Sequence, residues 1–196
     1  MSEPLTYSAK REQEILDNIT KYNFGCMYEE LQATRAALQK AEEALETARQ
    51  AVDTAPTEAQ KEAGNYQKGH IKVHGLDITI ENPRGSERSG VGDNGKPWRS
   101  RLPHHYGYIR RTEGGDGDHV DVFVGPHLKS PHIYVIDQHE PRAGDWDEHK
   151  CMIGFGSRKQ AIEAYVRAFS DGMGRRRIGH VETMTIDGFK GWLRDG

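Results

Sequence analysis

The first fifty residues carry a helical pattern of apolar positions. Residues 8–52 hold no proline and one glycine, and small or apolar residues recur there at alternating steps of four and three, which is a helical period. The positions in this stripe are Met27, Leu31, Thr34, Leu38, Ala41, Leu45, Ala48 and Val52. Gly25 is a candidate helix end, so we predict an N-terminal helical arm over 1–53, either a hairpin or one helix broken near Gly25.

The stripe of this arm is too narrow to form a core by itself, since most helical stability in proteins comes from packing of an amphipathic face. We therefore expect the arm to pack on the rest of the chain or on a second copy, as a coiled coil in a homo-oligomer. Residues 54–66 are predicted to be a linker, in which 57–63 favour a helical turn.

Beyond the linker the pattern changes to short β-like runs that Gly, Pro, Asn and Asp separate. The runs predict strands at 70–82 (a hairpin with its turn near His74 and Gly75), 119–125, 132–138 and 150–155. Helical periods return at 157–171, where Ser157 is a candidate N-cap, and at 185–196. About five strands and C-terminal helices predict an α+β domain over 67–196, built as a small, mostly antiparallel β-barrel with flanking helices.

Composition narrows the class of protein. The net charge of −3 gives no bulk attraction to nucleic acid or to an anionic membrane. Cys26 and Cys151 lie far apart without CxxC spacing, which excludes a disulfide scaffold or a cysteine zinc site and fits a reducing compartment. No stretch approaches the roughly 20 apolar residues of a membrane span, and the N-terminal residues lack the apolar core that a secretory signal would have. We expect a soluble, cytoplasmic protein.

Three aspartates, Asp116, Asp118 and Asp121, lie within six positions where a predicted strand begins. Neighbouring carboxylates repel, and each raises the pKa of the others unless a cation is present. A solvated turn accounts for Asp116 and Asp118, but Asp121 lies between two strand valines. The DxDxxD spacing differs from that of a calcium-binding EF-hand loop. We interpret the triplet as a converging oxygen site for Mg²⁺ or Mn²⁺.

Further charged residues lie near predicted strand ends. The acids are Glu81, Asp137, Asp147 and Glu148, and the bases are Arg84, Arg88, Arg99, Arg101 and Lys150. Together they suit a polyanionic phosphate ester or anhydride. Seven of the ten histidines fall between residues 104 and 149, but their spacing matches no common zinc motif.

The segment from Pro103 to Val124 has the form P-x-x-YGYI-x-x-T-x-x-x-DGD-x-VDV-x-V. It resembles the core of the soluble family I inorganic pyrophosphatases. With "IENPRGS", "KPW" and "DEHK", it is similar to the pyrophosphatase-like domain of phage and mobile-element proteins. The resemblance covers about residues 64–196 and none of the arm. It implies an OB-like five-stranded β-barrel, and a bacterial or phage-infected cytoplasm.

The resemblance also implies roles for the acids. Asp116 and Asp121 would hold two or more Mg²⁺ ions, and Asp118 would orient or deprotonate the attacking water. The remaining acids would bind additional metal; they are Glu81, Asp137 and one or both of Asp147 and Glu148. The implied reaction is hydrolysis of pyrophosphate to two phosphates.

Tyr106 and Lys150 match the family tyrosine and lysine of the catalytic site, and the arginines would bind substrate. Arg88 stands in for an early lysine, and Arg99 or Arg101 for the family arginine. The family's C-terminal Tyr-Lys pair is replaced by Phe169-Ser170. A basic triplet is expected to substitute for it: Arg175, Arg176 and Arg177. This change leaves open whether the small-molecule substrate is pyrophosphate or a nucleotide phosphoanhydride.

Two other functions fit parts of the pattern. A metal-dependent nuclease would use Glu148 and Lys150 with Asp137 or Asp121 and would leave Asp116 and Asp118 unexplained. A non-catalytic module would bind a phosphorylated ligand and use the arm to contact a partner.

Overall fold

The computed structural model describes residues 7–91, 95–115 and 117–195 of the chain. Asp116, the first acid of the triplet, lies outside the described residues. The chain divides into two compact units, Met1–Ala41 and Glu42–Gly196. Among the described residues, no helix is long and apolar enough to cross a membrane.

The N-terminal segment is a single helix, α1, from Tyr7 to Gln50. The predicted hairpin, or break near Gly25, is therefore wrong. A glycine inside a helix costs only about 1 kcal/mol relative to alanine, and the strong helix formers around Gly25 outweigh that cost. In the first unit Met27, Tyr28 and Leu31 are exposed. Association through this face remains a prediction.

The second unit contains short helices and nine strands among its described residues. The elements after α1 are α2 (Glu58–Glu62), β1 (Gly69–Val73), β2 (Leu76–Asn82), β3 (Glu87–Val91), β4 (Pro97–Arg101), β5 (His105–Ile109), β6 (Asp121–Val124), β7 (His132–His139), β8 (Trp146–Ile153), α3 (Arg158–Arg167), a 3₁₀ turn (Gly174–Arg177), β9 (Ile178–Thr185) and α4 (Ile186–Asp195). Strands β3 and β4 form a separate hairpin, and the other seven form one sheet in the order β1-β2-β5-β6-β8-β7-β9.

This mixed α+β architecture confirms the predicted class but not the five-stranded barrel. In the part of the chain that the structure describes, the main sheet has seven strands and stays open, with β1 and β9 at its edges. All its pairs are antiparallel except β6 with β8. The 70–82 hairpin is confirmed; its turn residues His74 and Gly75 have φ of 52° and 83°, which suits the twist of a two-residue hairpin.

One face of the sheet packs on α3. Side chains alternate between the faces of a strand, and Tyr106, Phe123, Ile136 and Met152 meet on this face in a buried cluster with Tyr165 of α3. The side chain of Ser157 caps α3 by accepting from the backbone N–H of Gln160 at 3.3 Å, as predicted. The same alternation decides which polar side chains share the α3 face.

Candidate active site

The side chains of four predicted site residues project from the sheet on the α3 face. In the parallel pair of β6 and β8, Asp121 lies opposite Lys150, and Glu148 is two positions before Lys150. On β5, Tyr106 pairs with Phe123, which is two positions beyond Asp121. Because alternation has a period of two, Tyr106, Asp121, Glu148 and Lys150 converge.

The Lys150 ammonium is the centre of this cluster. It donates to Asp121, to Glu148 Oε2 at 2.6 Å and to the Tyr106 hydroxyl at 3.0 Å. Asp121 also accepts from the Tyr106 hydroxyl. Lys150 is only 6 % exposed. Burial lowers the pKa of Lys150, but Tyr106, Asp121 and Glu148 together raise it above its usual value, so the lysine stays charged.

Gln138 is a site residue that the sequence did not predict. Its amide nitrogen donates to Asp147 Oδ2 at 2.8 Å and to Glu148 Oε1 at 2.9 Å, and its amide oxygen accepts from the Tyr165 hydroxyl at 2.7 Å. One neutral side chain therefore holds two neighbouring acids in place. The sequence held one sign of this role. Gln138 is a polar residue in a mostly apolar strand, and it lies two positions after Ile136 and therefore on the same face.

The cluster carries more negative than positive charge. Burial raises the pKa of Glu148, the Lys150 charge lowers it, and Asp121 and Asp147 raise it further; the net direction is upward. Burial also raises the pKa of Tyr106 to about 12, so its hydroxyl keeps its proton. One ammonium thus contacts two carboxylates, with that of Asp147 as a third beside them, and an additional cation would relieve the repulsion among the three.

Carboxylate oxygens are the donors that Mg²⁺ takes in proteins, so the donor set fits that ion in type. Within the described ranges, however, no three His, Cys, Asp or Glu side chains are grouped to hold a metal. Asp118 is exposed in a turn before β6, in which the Gly114 backbone N–H donates to the Asp118 carbonyl at 2.6 Å.

Two predicted metal ligands lie outside the Lys150 cluster. Glu81 forms an ion pair with Lys68 at 2.6 Å. Asp137 pairs across the strands with His149, and the two side chains are 3.3 Å apart. Because Asp137 alternates with Gln138, it leaves the sheet on the opposite face from Glu148 and Lys150.

A cleft of about 570 Å³ opens above Tyr106 and Lys150. Its lining has more basic than acidic side chains: Arg88, Lys96, Arg142, Lys150 and Arg177 against Glu140, Glu148 and Asp171. The Arg88 guanidinium lies 4.5 Å from the centre of the Tyr106 ring. This positive lining faces the hydroxyl and ammonium donors at the cleft floor, an arrangement that suits phosphate oxygens.

The structure separates the predicted arginines. Ser100 lines the cleft with its cross-strand partner Arg88, so alternation along β4 directs Arg99 and Arg101 to the other side of the hairpin. Of the basic triplet, Arg177 lies in the cleft; its guanidinium is 4.4 Å from the Phe169 ring centre and 2.8 Å from Asp171. Arg176 is exposed, and Arg175 lies in a separate depression with Arg158.

The fold and cleft define an α+β protein with a buried lysine–carboxylate site and a cationic approach to it. The family model described as Inorganic Pyrophosphatase matches residues 58–194. The chain belongs to the inorganic pyrophosphatase family, and the resemblance stated from the sequence is confirmed.

Comparison with solved structures gives distant similarities. An inorganic pyrophosphatase from Neisseria gonorrhoeae aligns at 16 % identity and a TM-score of 0.36, over 62 % of this chain and 89 % of that one. One from Coxiella burnetii aligns at 16 % and 0.34, over 60 % and 89 %. An inorganic phosphatase from Anaplasma phagocytophilum aligns at 13 % and 0.34, over 66 % and 91 %. No curated protein matches the chain.

Proposed function

We propose that this protein is a Mg²⁺-dependent phosphoanhydride hydrolase that cleaves pyrophosphate to two phosphates. The observation that carries the proposal is the buried Lys150 ammonium, bound to Tyr106, Asp121 and Glu148 at the floor of a cationic cleft. Membership of the inorganic pyrophosphatase family supports this reaction, and the side chains of the cluster suit it.

The chain's cations would bind and orient the substrate. Lys150 and Arg88 carry fixed positive charge toward the cleft, and charge-assisted hydrogen bonds to phosphate are about twice as strong as neutral ones. The pKa of Tyr106 is about 12, so its hydroxyl remains a donor at neutral pH. In this structure the Tyr106 hydroxyl donates to Asp121, and the Lys150 ammonium donates to Asp121 and Glu148. A phosphate oxygen at the cleft floor would therefore replace one of these acceptors.

The acids would hold the metal ions. Asp116, Asp121 and Glu148 are the residues we assign to this role. Bound Mg²⁺ lowers the pKa of water and neutralises phosphate charge. In the reaction the water oxygen bonds to phosphorus, the bridging P–O bond breaks, and its electron pair stays on the leaving phosphate. Asp118 would accept a proton of the attacking water, and Lys150 would stabilise charge on phosphate oxygens.

The decisive experiment is phosphate release from pyrophosphate over a Mg²⁺ titration, with Asp118→Asn as the test variant. We expect the wild type to release phosphate only with Mg²⁺, and Asp118→Asn to lose turnover while keeping its circular dichroism spectrum. Asp187→Asn, an exposed acid at the start of α4, is the matched control. Full activity in Asp118→Asn would refute the role given to that residue.

The nuclease alternative takes Glu148 and Lys150 with either Asp137 or Asp121. Asp137 lies with His149 on the opposite sheet face, whereas Asp121 shares the Lys150 ammonium with Glu148. We favour the phosphoanhydride hydrolase because the family model matches residues 58–194 and because the nuclease gives Asp116 and Asp118 no role. Cleavage of DNA without release of phosphate from pyrophosphate would reverse this preference.

A further inference from the structure

The cleft is larger and more aromatic than an inorganic anion requires. Its volume of about 570 Å³ lies within the range of roughly 300–1,000 Å³ typical of sites for organic ligands. Pyrophosphate offers no apolar surface, yet apolar side chains form much of the wall. They include Pro97, Trp98, Pro141, Phe169 and Met173.

Trp98 is fixed on the β3–β4 hairpin and still accessible. It lies across from Gly90, and its indole is so close that a Cβ at Gly90 would come within 2.9 Å of the ring. The glycine thus lets the indole lie against the hairpin backbone. Trp98 nevertheless remains 39 % exposed beside the cleft. A fixed, accessible indole is suited to stacking on a planar ring.

Phe169 and Arg177 add a second rigid element to the cleft wall. The Arg177 guanidinium lies 4.4 Å from the Phe169 ring centre, and Asp171 holds it from the side at 2.8 Å. With 18 % exposure of its side chain, Arg177 is a largely buried cation that reaches the cleft. Such a guanidinium suits a phosphate oxygen or the edge of a polar ring.

Building on the proposed hydrolytic function, we propose that the preferred substrate is a nucleoside phosphoanhydride rather than free pyrophosphate. The base stacks on Trp98, and the phosphates reach Arg88, Tyr106 and Lys150. Water adds to phosphorus, the bridging P–O bond breaks, and the leaving fragment keeps the electron pair. The products are a shortened nucleotide and inorganic phosphate or pyrophosphate, with the protons of water on the products or in solvent.

The test compares kcat/KM for ATP, GTP, UTP and pyrophosphate in wild type, Trp98→Ala and Trp98→Phe. Loss of base stacking predicts a drop of about tenfold or more for nucleotides in Trp98→Ala, with pyrophosphate changed less than about twofold. Trp98→Phe keeps a ring and should retain most of the nucleotide activity. Val91→Ala, an exposed change on the same hairpin, should leave both substrates unaffected.

A binding measurement separates this inference from the hydrolytic function. A nucleotide with a non-hydrolysable imido bridge should quench indole fluorescence in the wild type but not in Trp98→Phe, whereas imidodiphosphate should quench neither. Pyrophosphate turnover without Trp98-dependent nucleotide turnover or quenching would overturn the inference and leave the proposed function intact. Quenching without hydrolysis of any substrate would support binding of a nucleoside at Trp98 and refute the proposed hydrolysis.

Discussion

Asp121 and Lys150 lie opposite each other in the parallel pair of the sheet, and their side chains form an ion pair on the α3 face between a buried lysine and a half-buried aspartate. Parallel pairing brings together two residues 29 positions apart in the chain. Glu148 shares the same ammonium at 2.6 Å, so one buried lysine compensates two half-buried acids. The position of these acids therefore depends on Lys150 as much as on the strands that carry them.

Removal of the Lys150 charge should damage both stability and activity. Lys150→Met leaves Asp121 and Glu148 without their counter-charge. Breaking a fully buried pair typically costs about 3–5 kcal/mol, and the loss here should be smaller because the two acids are 24 % and 23 % exposed. We expect that loss in the free energy of unfolding in urea, and no measurable pyrophosphate hydrolysis. Lys72→Met is the control, because Lys72 is 65 % exposed in its pair with Asp77 and such pairs contribute about 0–1 kcal/mol. Equal stability of the two variants would contradict this account.

Gln138 should act as a positioning residue for the two acids that it holds. Gln138→Met keeps the volume but removes the donor to Asp147 and Glu148, so we expect a higher Mg²⁺ concentration at half-maximal activity. Tyr165→Phe removes only the support of Gln138 and should shift the Mg²⁺ dependence in the same direction by less. The measurement is a Mg²⁺ titration of activity together with calorimetric Mg²⁺ binding. Gln160→Met at the exposed start of α3 is the control, and an unchanged Mg²⁺ dependence in Gln138→Met would refute the role.

Sequence patterns predicted local features well. The hairpin at His74–Gly75, the N-cap of α3 and the helical period of α4 all depend on residues close in the chain. Strand β9 was missed because Gly179 and His180 interrupt its apolar alternation. An edge strand needs little burial to pair, so its pattern is weak.

The faces of the strands could not be assigned from the sequence. Whether Asp137 or Gln138 joins Lys150 depends on which strands are neighbours and in what register, and a shift of one residue exchanges the two faces. The same uncertainty of register left Arg88, Arg99 and Arg101 all predicted to bind substrate, although the hairpin directs only Arg88 of these three to the cleft. Motif spacing therefore identified the family, whereas long-range pairing decides which charged residues meet.

His105 should make stability depend on pH. Burial, with neighbouring positive charges, lowers the pKa of His105 to about 4, and its Nδ1 accepts from the Arg84 backbone N–H at 3.2 Å. The folded pKa lies below the unfolded value of about 6.5, so the unfolded state binds the proton first. Stability contributed by neutral His105 is complete above pH 6.5 and declines as the pH falls toward 4.

The pH dependence can be measured by urea unfolding at pH 7 and pH 5. His105→Asn keeps a hydrogen-bond acceptor but does not titrate, so we expect its stability to fall less between the two pH values than that of the wild type. The difference should be about 1 kcal/mol. His180→Asn, at an exposed position, should retain the wild-type pH dependence. An equal decline in His105→Asn and wild type would show that His105 is not responsible.

Gly115 should be required for full activity, because the Trp146 indole lies against it. A Cβ at Gly115 would lie 2.8 Å from the indole of Trp146, so Gly115→Ala must displace either the ring or the loop that carries Asp118. We expect kcat for pyrophosphate to fall at least about tenfold with little loss of stability, since a displacement of about 1 Å at a catalytic group can cost a hundredfold in rate.

The role of Gly115 is tested with a second substitution at Trp146. Removing the ring in the double variant Gly115→Ala/Trp146→Ala relieves the clash, so its kcat should exceed that of Gly115→Ala alone. Gly25→Ala is the control, because no atom lies within 4 Å of a Cβ there and alanine favours a helix; its activity should equal that of the wild type. If the double variant is no faster than Gly115→Ala, contact with Trp146 does not position the aspartate loop, and the requirement for glycine must come from the loop backbone itself.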